Sequence, residues 1–359
     1  MSRVYNFSPG PCTLPLPALE KAQAEFIDYH NTGMSIIESS HRGAEFKDVH
    51  VETKALLRQV LGIPEDYHIL FLGGGASLQF TMIPQNFIPA GGSADYINTG
   101  TWSKKAIKEA NIVAKANVVA SSEADNFSWI PSQEEMQFDK NAAYLHFTSN
   151  NTIFGTEFHQ FPETDKPLVC DMSSDIMSRP IDVSKFAMIY AGAQKNLGPA
   201  GVTVVIIRDD FAKTANKGLP TMLAYDTHID KDSMFNTPPA FGIYMIKLVL
   251  EWLLDQGGLE TIEAINRQKA ELFYGAVDAS EGYYRGTARP DSRSRMNATM
   301  RLESEELEKK FIAEAAAIGL MGLKGHRSVG GIRVSMYNAM PLAGIEKLVA
   351  FMARFKEDN

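Results

Sequence analysis

Lys195 lies in the stretch Met188-Ile-Tyr-Ala-Gly-Ala-Gln-Lys-Asn-Leu-Gly-Pro-Ala-Gly-Val-Thr-Val-Val-Ile-Ile-Arg208, a lone charge in a short glycine-bearing loop between two apolar runs. An amine held between buried strands loses hydration. That disfavours its ammonium form and makes it a nucleophile of the kind that forms Schiff bases. A wet loop between strands carries such a lysine equally well, so other residues must decide. Asp171 closes the apolar run Pro167-Leu-Val-Cys-Asp171. At the carboxyl end of a parallel strand a carboxylate either caps the next turn or faces a ligand, where it would hold a pyridine nitrogen protonated. Trp102 follows Thr99-Gly-Thr101 after a strand-like run, and its indole serves as core or as a plate for a heterocycle. Thr152 and the pair Asn236-Thr237 are loop residues whose own reading is turn chemistry.

Leu72-Gly-Gly-Gly-Ala-Ser77 joins a strand-like run to a helical one. It is a tight turn or a place where backbone amides meet an anion at a helix start. It lacks the Gly-Lys-Ser/Thr of a nucleotide loop and the G-x-G-x-x-G of a dinucleotide fold. Two further loops, Ser39-Ser-His-Arg-Gly43 and Gly325-His-Arg-Ser-Val-Gly-Gly-Ile-Arg333, share a His-Arg pair. The arginine fork binds carboxylate or phosphate through two parallel bonds. Arg333 stands inside the apolar strand Gly331–Ser335, where a guanidinium needs an anionic partner, either a substrate or a structural carboxylate. Arginines and histidines gathered in glycine-rich loops of an acidic chain point to a small, doubly anionic substrate.

These residues need elements to hold them. Ala44–Leu61 has helical periodicity and a glycine stop at Gly62. Strands are expected at His68–Leu72, Ala94–Asn98, Asn117–Ala120, Ala143–Thr148, Pro167–Asp171, Ala187–Ala191 and Val202–Arg208. Several are nearly unbroken apolar runs, the mark of a largely parallel sheet covered on both faces. Helices follow at Ala240–Leu254 and Leu259–Ala279. A smaller α+β pattern comes next: a strand at Arg295–Leu302, a helix at Glu305–Gly319 capped by Ser304, a strand at Gly331–Met336 and a helix at Leu342–Phe355. The expected division is a large domain over 16–262 and a small one over 263–359 with the segment 1–15.

With 359 residues the chain has room for two domains. Its 45% hydrophobic and 22% charged residues describe an ordinary globular protein, and the net charge of −8 argues against a general nucleic-acid or membrane-surface binder. The first residues lack the apolar core of a signal peptide. Cys12 and Cys170 give neither a disulfide framework nor metal-ligand spacing, so no metal site is expected and the expected compartment is the cytoplasm.

The motifs Asn6-Phe-Ser-Pro-Gly-Pro11, Ser40-His-Arg-Gly43, Gly73-Gly-Gly-Ala76, Ala191-Gly-Ala-Gln-Lys-Asn196, Ser233–Pro239, Lys324-Gly-His-Arg327 and Tyr337–Pro341 occur in that order. Together they resemble the phosphoserine aminotransferase family, within the class V enzymes that use pyridoxal 5′-phosphate. The resemblance implies an aspartate-aminotransferase-like α/β fold, fold type I, with a mostly parallel central sheet and a small C-terminal α+β domain. It implies that Lys195 carries the cofactor, Asp171 pairs with its ring nitrogen, Trp102 stacks on the ring and Thr152 bonds its hydroxyl. Ala76, Ser77 and Gln194 would hold the cofactor phosphate, with Asn236 and Thr237 reaching in from the other subunit of a homodimer. Some members of the family have Gly-Arg where this chain has Ala76-Ser77. Arg42 and Arg333 match carboxylate-binding positions, and Ser8, His41, His326 and Arg327 match other substrate-binding ones. The implied reaction moves an amino group from L-glutamate to 3-phosphohydroxypyruvate in serine biosynthesis, with the phosphohydroxythreonine pair of pyridoxine biosynthesis as a second substrate. Neither cysteine is placed as a desulfurase's mobile thiol would be. A non-catalytic relative could have lost Lys195, Asp171 or the arginines, yet all are present.

Overall fold

Seven strands build the central sheet, in the order Tyr67–Leu72, Thr203–Arg208, Met188–Gly192, Leu168–Asp171, Ala142–Thr148, Ser93–Asn98, Lys115–Ser121. The computed structural model describes residues 3–359. All seven strands expected from the apolar runs are present, each within two residues of its expected ends. Along each strand alternate side chains serve different cores. Ile69, Phe71, Phe147, Ile189, Val204 and Ile206 face one layer, while Leu70, Leu72, Tyr144, Met188, Val205 and Ile207 face the other. That period of two is why the runs read as continuously apolar.

Five of the strands pair in parallel. Thr203–Arg208 runs antiparallel to both of its neighbours. Its link to Met188–Gly192 is the short loop through Lys195, and a parallel partner would need a helical crossover of a dozen or more residues. The catalytic candidate therefore sits on a hairpin-like connection between two central strands, fixed at both ends.

Ala44–Leu61 and Ala240–Asp255 pack on each other over the first face. Gly75–Phe87 and Thr101–Val113 pack on each other over the second. Thr101–Val113 and the helix Leu16–Glu25 were not expected from the sequence, and Gly75–Phe87 begins two residues later than the glycine run implied.

A third core surrounds the antiparallel sheet Arg285–Gly286, Asn297–Arg301, Ile332–Ser335, with Phe273, Phe311, Val334 and Phe351 at its centre. Glu305–Ala317 starts at Ser304, whose hydroxyl accepts from the Leu307 amide at 3.2 Å. Gly258–Asp278 joins the cores: Leu259 and Ile262 lie in the first, Ala270, Phe273 and Val277 in the third. Tyr5–Asn6 pairs in parallel with Leu320–Met321 and brings the N-terminal segment onto this third core. Among the described residues no helix is long and apolar enough to cross a membrane.

Candidate active site

The hairpin-like link after Met188–Gly192 buries Lys195 to 9% exposure, and its Nζ donates to Thr152 Oγ1 at 2.7 Å. Burial pushes the amine down to about 8; Asp171 and Asp175 oppose the shift and Arg333 adds to it. The loop is clamped from outside by the N-terminal segment. Cys12 Sγ donates to the Lys195 carbonyl at 2.8 Å and the Cys12 amide to the Gln194 carbonyl at 3.2 Å. Gly10 has φ 145°, and a Cβ there would lie 3.3 Å from Lys195 Cγ, so this close approach favours glycine.

Asp171 ends its strand beneath the site. Its Oδ1 accepts from the Ser173 amide at 2.9 Å and the Ser173 hydroxyl at 2.6 Å. Its other oxygen takes no hydrogen bond among the described residues. Burial pushes the carboxyl up, against Ser173 and Lys195; a cation bound at the free oxygen would reverse that. Trp102 lies in the first turn of Thr101–Val113, with Lys195 Nζ 5.9 Å from its ring centroid and Lys105 Nζ 4.5 Å from it. The indole Nε1 is buried without a partner.

The helix Gly75–Phe87 begins after Gly74 in the left-handed region, φ 83°, and a Cβ there would meet Leu78 Cβ at 2.6 Å. The first internally bonded amide is Leu78's, so those of Gly75, Ala76 and Ser77 are left for an outside acceptor. Gln194 shares the lysine loop, with its amide folded beside Gly192.

Arg333, 6% exposed, reaches the other side of Thr152, donating from Nη1 to its carbonyl at 3.4 Å. Its Nε is buried with no partner, and burial lowers its pKa with no carboxylate among the opposing causes. His326 Nδ1 lies 2.7 Å from Ser328 Oγ. Burial, then Arg333, Arg327 and Lys105, hold its imidazole below the usual range. Arg327 is exposed on the same loop. Ser8 packs against Gly322, beside the paired N-terminal strand.

Four expected residues do not join this group. His41 Nδ1 meets Thr237 Oγ1 at 3.5 Å, Asn236 donates to the Thr237 carbonyl at 3.3 Å, and the Arg42 amide donates to Ser40 Oγ at 3.2 Å. None of the four bonds to Lys195, Asp171, Thr152 or Arg333 among the described residues. Large apolar side chains stand exposed on the same segments, Ile37 ahead of His41 and Phe235 beside Asn236, and Phe26, half-exposed next to the 82% exposed Ile27, packs on Phe241.

Cys12, Lys105 and Ser173 belong to the site's surroundings and were not singled out from the sequence. Only Ser173 carried a local signal, its spacing of two from Asp171, which is that of an Asx turn. The donor set fits one kind of ligand. An amine of lowered pKa suits an aldehyde, a buried carboxylate with a free oxygen suits a basic ring nitrogen, an indole suits the ring face, and open helix amides suit a phosphate. Arg333 is left for a separate carboxylate.

Residues 4–348 match the Aminotransferase class-V family. The chain is 56% identical over 358 residues to the phosphoserine aminotransferase of Niallia circulans, covering 99% of both. It superposes on the solved phosphoserine aminotransferase from Bacillus circulans subsp. alkalophilus with a TM-score of 0.97, at 55% identity and 99% coverage of each chain. A phosphoserine aminotransferase from Trichomonas vaginalis, solved with PLP bound, gives a TM-score of 0.93 at 40% identity, covering 98% of this chain and 100% of that one.

Proposed function

The chain belongs to the class-V aminotransferases, and on that premise we propose that it is a pyridoxal-phosphate enzyme converting 3-phosphohydroxypyruvate and L-glutamate to O-phospho-L-serine and 2-oxoglutarate. The observation that carries the reading is Arg333, a buried guanidinium without an acid, sharing Thr152 with the Lys195 amine. A substrate carboxylate completes that arrangement and sets the amino acid's α-carbon near the amine.

Bound pyridoxal phosphate supplies an aldehyde that exchanges amines and a protonated ring that accepts the electron pair released at the α-carbon. Lys195 anchors it, Asp171 holds the ring nitrogen protonated, Trp102 covers the ring, and Thr152 bonds its hydroxyl. Ala76, Ser77 and Gln194 hold its phosphate. Lys195 Nζ takes the substrate's α-proton, a task suited to an amine whose pKa is about 8. Arg333 orients the α-carboxylate. His326 and Arg327 take the distal group, carboxylate in glutamate and phosphate in the keto acid. Several separate donors suit two anions of different shape better than one fixed fork.

The second cluster belongs to the same reading. Asn236 and Thr237 reach the cofactor phosphate of a partner protomer, and His41 and Arg42 reach its substrate. The exposed apolar side chains Ile37 and Phe235, next to these residues in the chain, with Phe26 and Ile27, support a homodimer with shared sites. We assign residues 16–262 to the cofactor-binding domain and 263–359 with 1–15 to the small domain. The phosphohydroxythreonine pair, also a keto acid and amino acid with a distal phosphate, is a second substrate by the same chemistry, and the cytoplasm is the working compartment.

Half-reaction spectra test the assignment. The purified protein is yellow, loses that band with glutamate, and regains it with 3-phosphohydroxypyruvate but not with pyruvate. Recovery with pyruvate alone would replace the reading with a small-amino-acid transaminase.

A further inference from the structure

Behind Asp171 lies a second buried acid that the proposed reaction leaves idle. Ser149 Oγ sits between the Asp171 carbonyl oxygen, 3.0 Å away, and Asp175 Oδ1, with which it makes a short hydrogen bond. Ser149 is fully buried and Asp175 is 5% exposed. A hydroxyl carries one proton. With Asp175 ionised, that proton would face two acceptors, and whichever contact it left would set lone pairs against each other. A proton on Asp175 resolves the count: its O–H donates to Ser149 Oγ, and the Ser149 O–H donates to the Asp171 carbonyl.

The neighbours of Asp175 agree. Glu157, 1% exposed, is the acid whose charge bears most on it, and it already holds Arg179 at 3.8 Å and the Arg295 amide at 2.7 Å. Arg179 also donates to the carbonyls of Phe158 and His159, at 2.5 and 3.2 Å. Asp171 and Cys170 end the strand that leads into Asp175's turn, and Lys195, the next cation, feels Asp171 more strongly than Asp175. No cation among the described residues comes within ion-pair distance of Asp175. Burial, reinforced by Glu157 and opposed by Arg179, pushes its carboxyl up to about 7.

We propose that below neutrality Asp175 is a neutral acid and a positioning residue, which through Ser149 fixes the strand end from which Asp171 presents its carboxylate. A neutral Asp175 also leaves Asp171 as the single anion facing the ring site. The inference rests on the reading of Asp171 as the partner of the ring nitrogen, but the protonation of Asp175 is testable without it.

The test compares wild type with Asp175→Asn, which stays neutral and keeps a donor toward Ser149, and with Asp175→Ala, which removes the donor. Infrared difference spectra of the cofactor-free protein near pH 6 should show a protonated-carboxyl stretch that Asp175→Asn lacks and that fades in wild type above neutrality. Linkage sets the sign for stability. A carboxyl raised from 3.8 in the folded state binds more protons there than when unfolded, so wild type loses stability as pH climbs from about 4 to about 7. The Tm advantage of Asp175→Asn should therefore grow across that window and level off above it. In the holoenzyme Asp175→Asn should keep kcat within a few-fold, while Asp175→Ala loses about tenfold in cofactor affinity, the scale of one lost buried hydrogen bond. No carboxyl band in the wild-type difference spectrum, or an Asn variant as impaired as the Ala variant, would overturn the proposal. If Asp175→Ala does not fold, the spectrum and the Asn variant still decide. If the half-reactions fail instead, the infrared result stands apart from the functional reading.

Discussion

Thr152 is shared by two cations: its hydroxyl accepts from Lys195 Nζ and its carbonyl from Arg333. Burial and that neighbouring positive charge lower the Lys195 amine from 10.5 to about 8, against the pull of Asp171. In the cofactor-free protein the neutral amine therefore becomes the major form above about pH 8. Labelling with an amine-selective reagent, followed by peptide mass spectrometry, should show Lys195 reacting with an inflection near that pH, while exposed lysines inflect two or more units higher. Lys195→Ala should abolish transamination, and near-normal turnover would remove the lysine from the chemistry. Arg42→Ala should mainly raise KM for both anionic substrates and leave kcat largely intact, a split that steady-state kinetics reads directly. Lys195, Asp171 and Arg333 were legible because each is a charge set in or against an apolar run. Cys12, Lys105 and Ser173 were not, since a thiol on a carbonyl or an ammonium over an indole takes its meaning from the folded neighbour.

Elements were legible where periodicity met a stop signal. Ala44–Leu61 has the predicted bounds because Gly62 takes the left-handed conformation that ends it. Thr101–Val113 was hidden because its buried face is narrow, carried by Ser103, Ala106 and Ala110. Strand direction was hidden for another reason: a period of two marks a strand but not which way it runs, so only link length betrays the antiparallel Thr203–Arg208. The start of Gly75–Phe87 offers a prediction at this scale. Gly74→Ala forces a side chain into the left-handed region and against Leu78, at about 1 kcal/mol or more. The helix start must shift to relieve it, and the amides of Ala76 and Ser77 shift with it. Cofactor affinity, measured by fluorescence titration of the cofactor-free protein, should fall several-fold while the far-ultraviolet spectrum stays unchanged.

In the whole molecule the candidate residues fall into two clusters, one around Lys195 and one around His41 and Thr237. The sequence named the members of both, and by resemblance it placed Asn236 and Thr237 on the other subunit; that His41 and Arg42 stand with them rather than with Arg333 is something spacing alone does not carry. Shared sites predict complementation. Lys195→Ala and Arg42→Ala proteins, each impaired alone, should regain activity when mixed and allowed to exchange subunits, because one of the two sites in a mixed dimer is intact. Activity that stays at the mean of the two variants would mean that each chain completes its own site.

The pairing of Tyr5–Asn6 with Leu320–Met321, and the Cys12 clamp on the lysine loop, set a constraint on biosynthesis. A chain leaving the ribosome exposes its first strand long before the residues that pair with it exist. The early sheet and its helices can form as they emerge, but the strand that anchors the clamping segment finds its partner only when Leu320–Met321 has been made, far beyond Lys195. A product interrupted between Lys195 and Leu320 therefore carries the amine with the clamping segment lacking its strand partner.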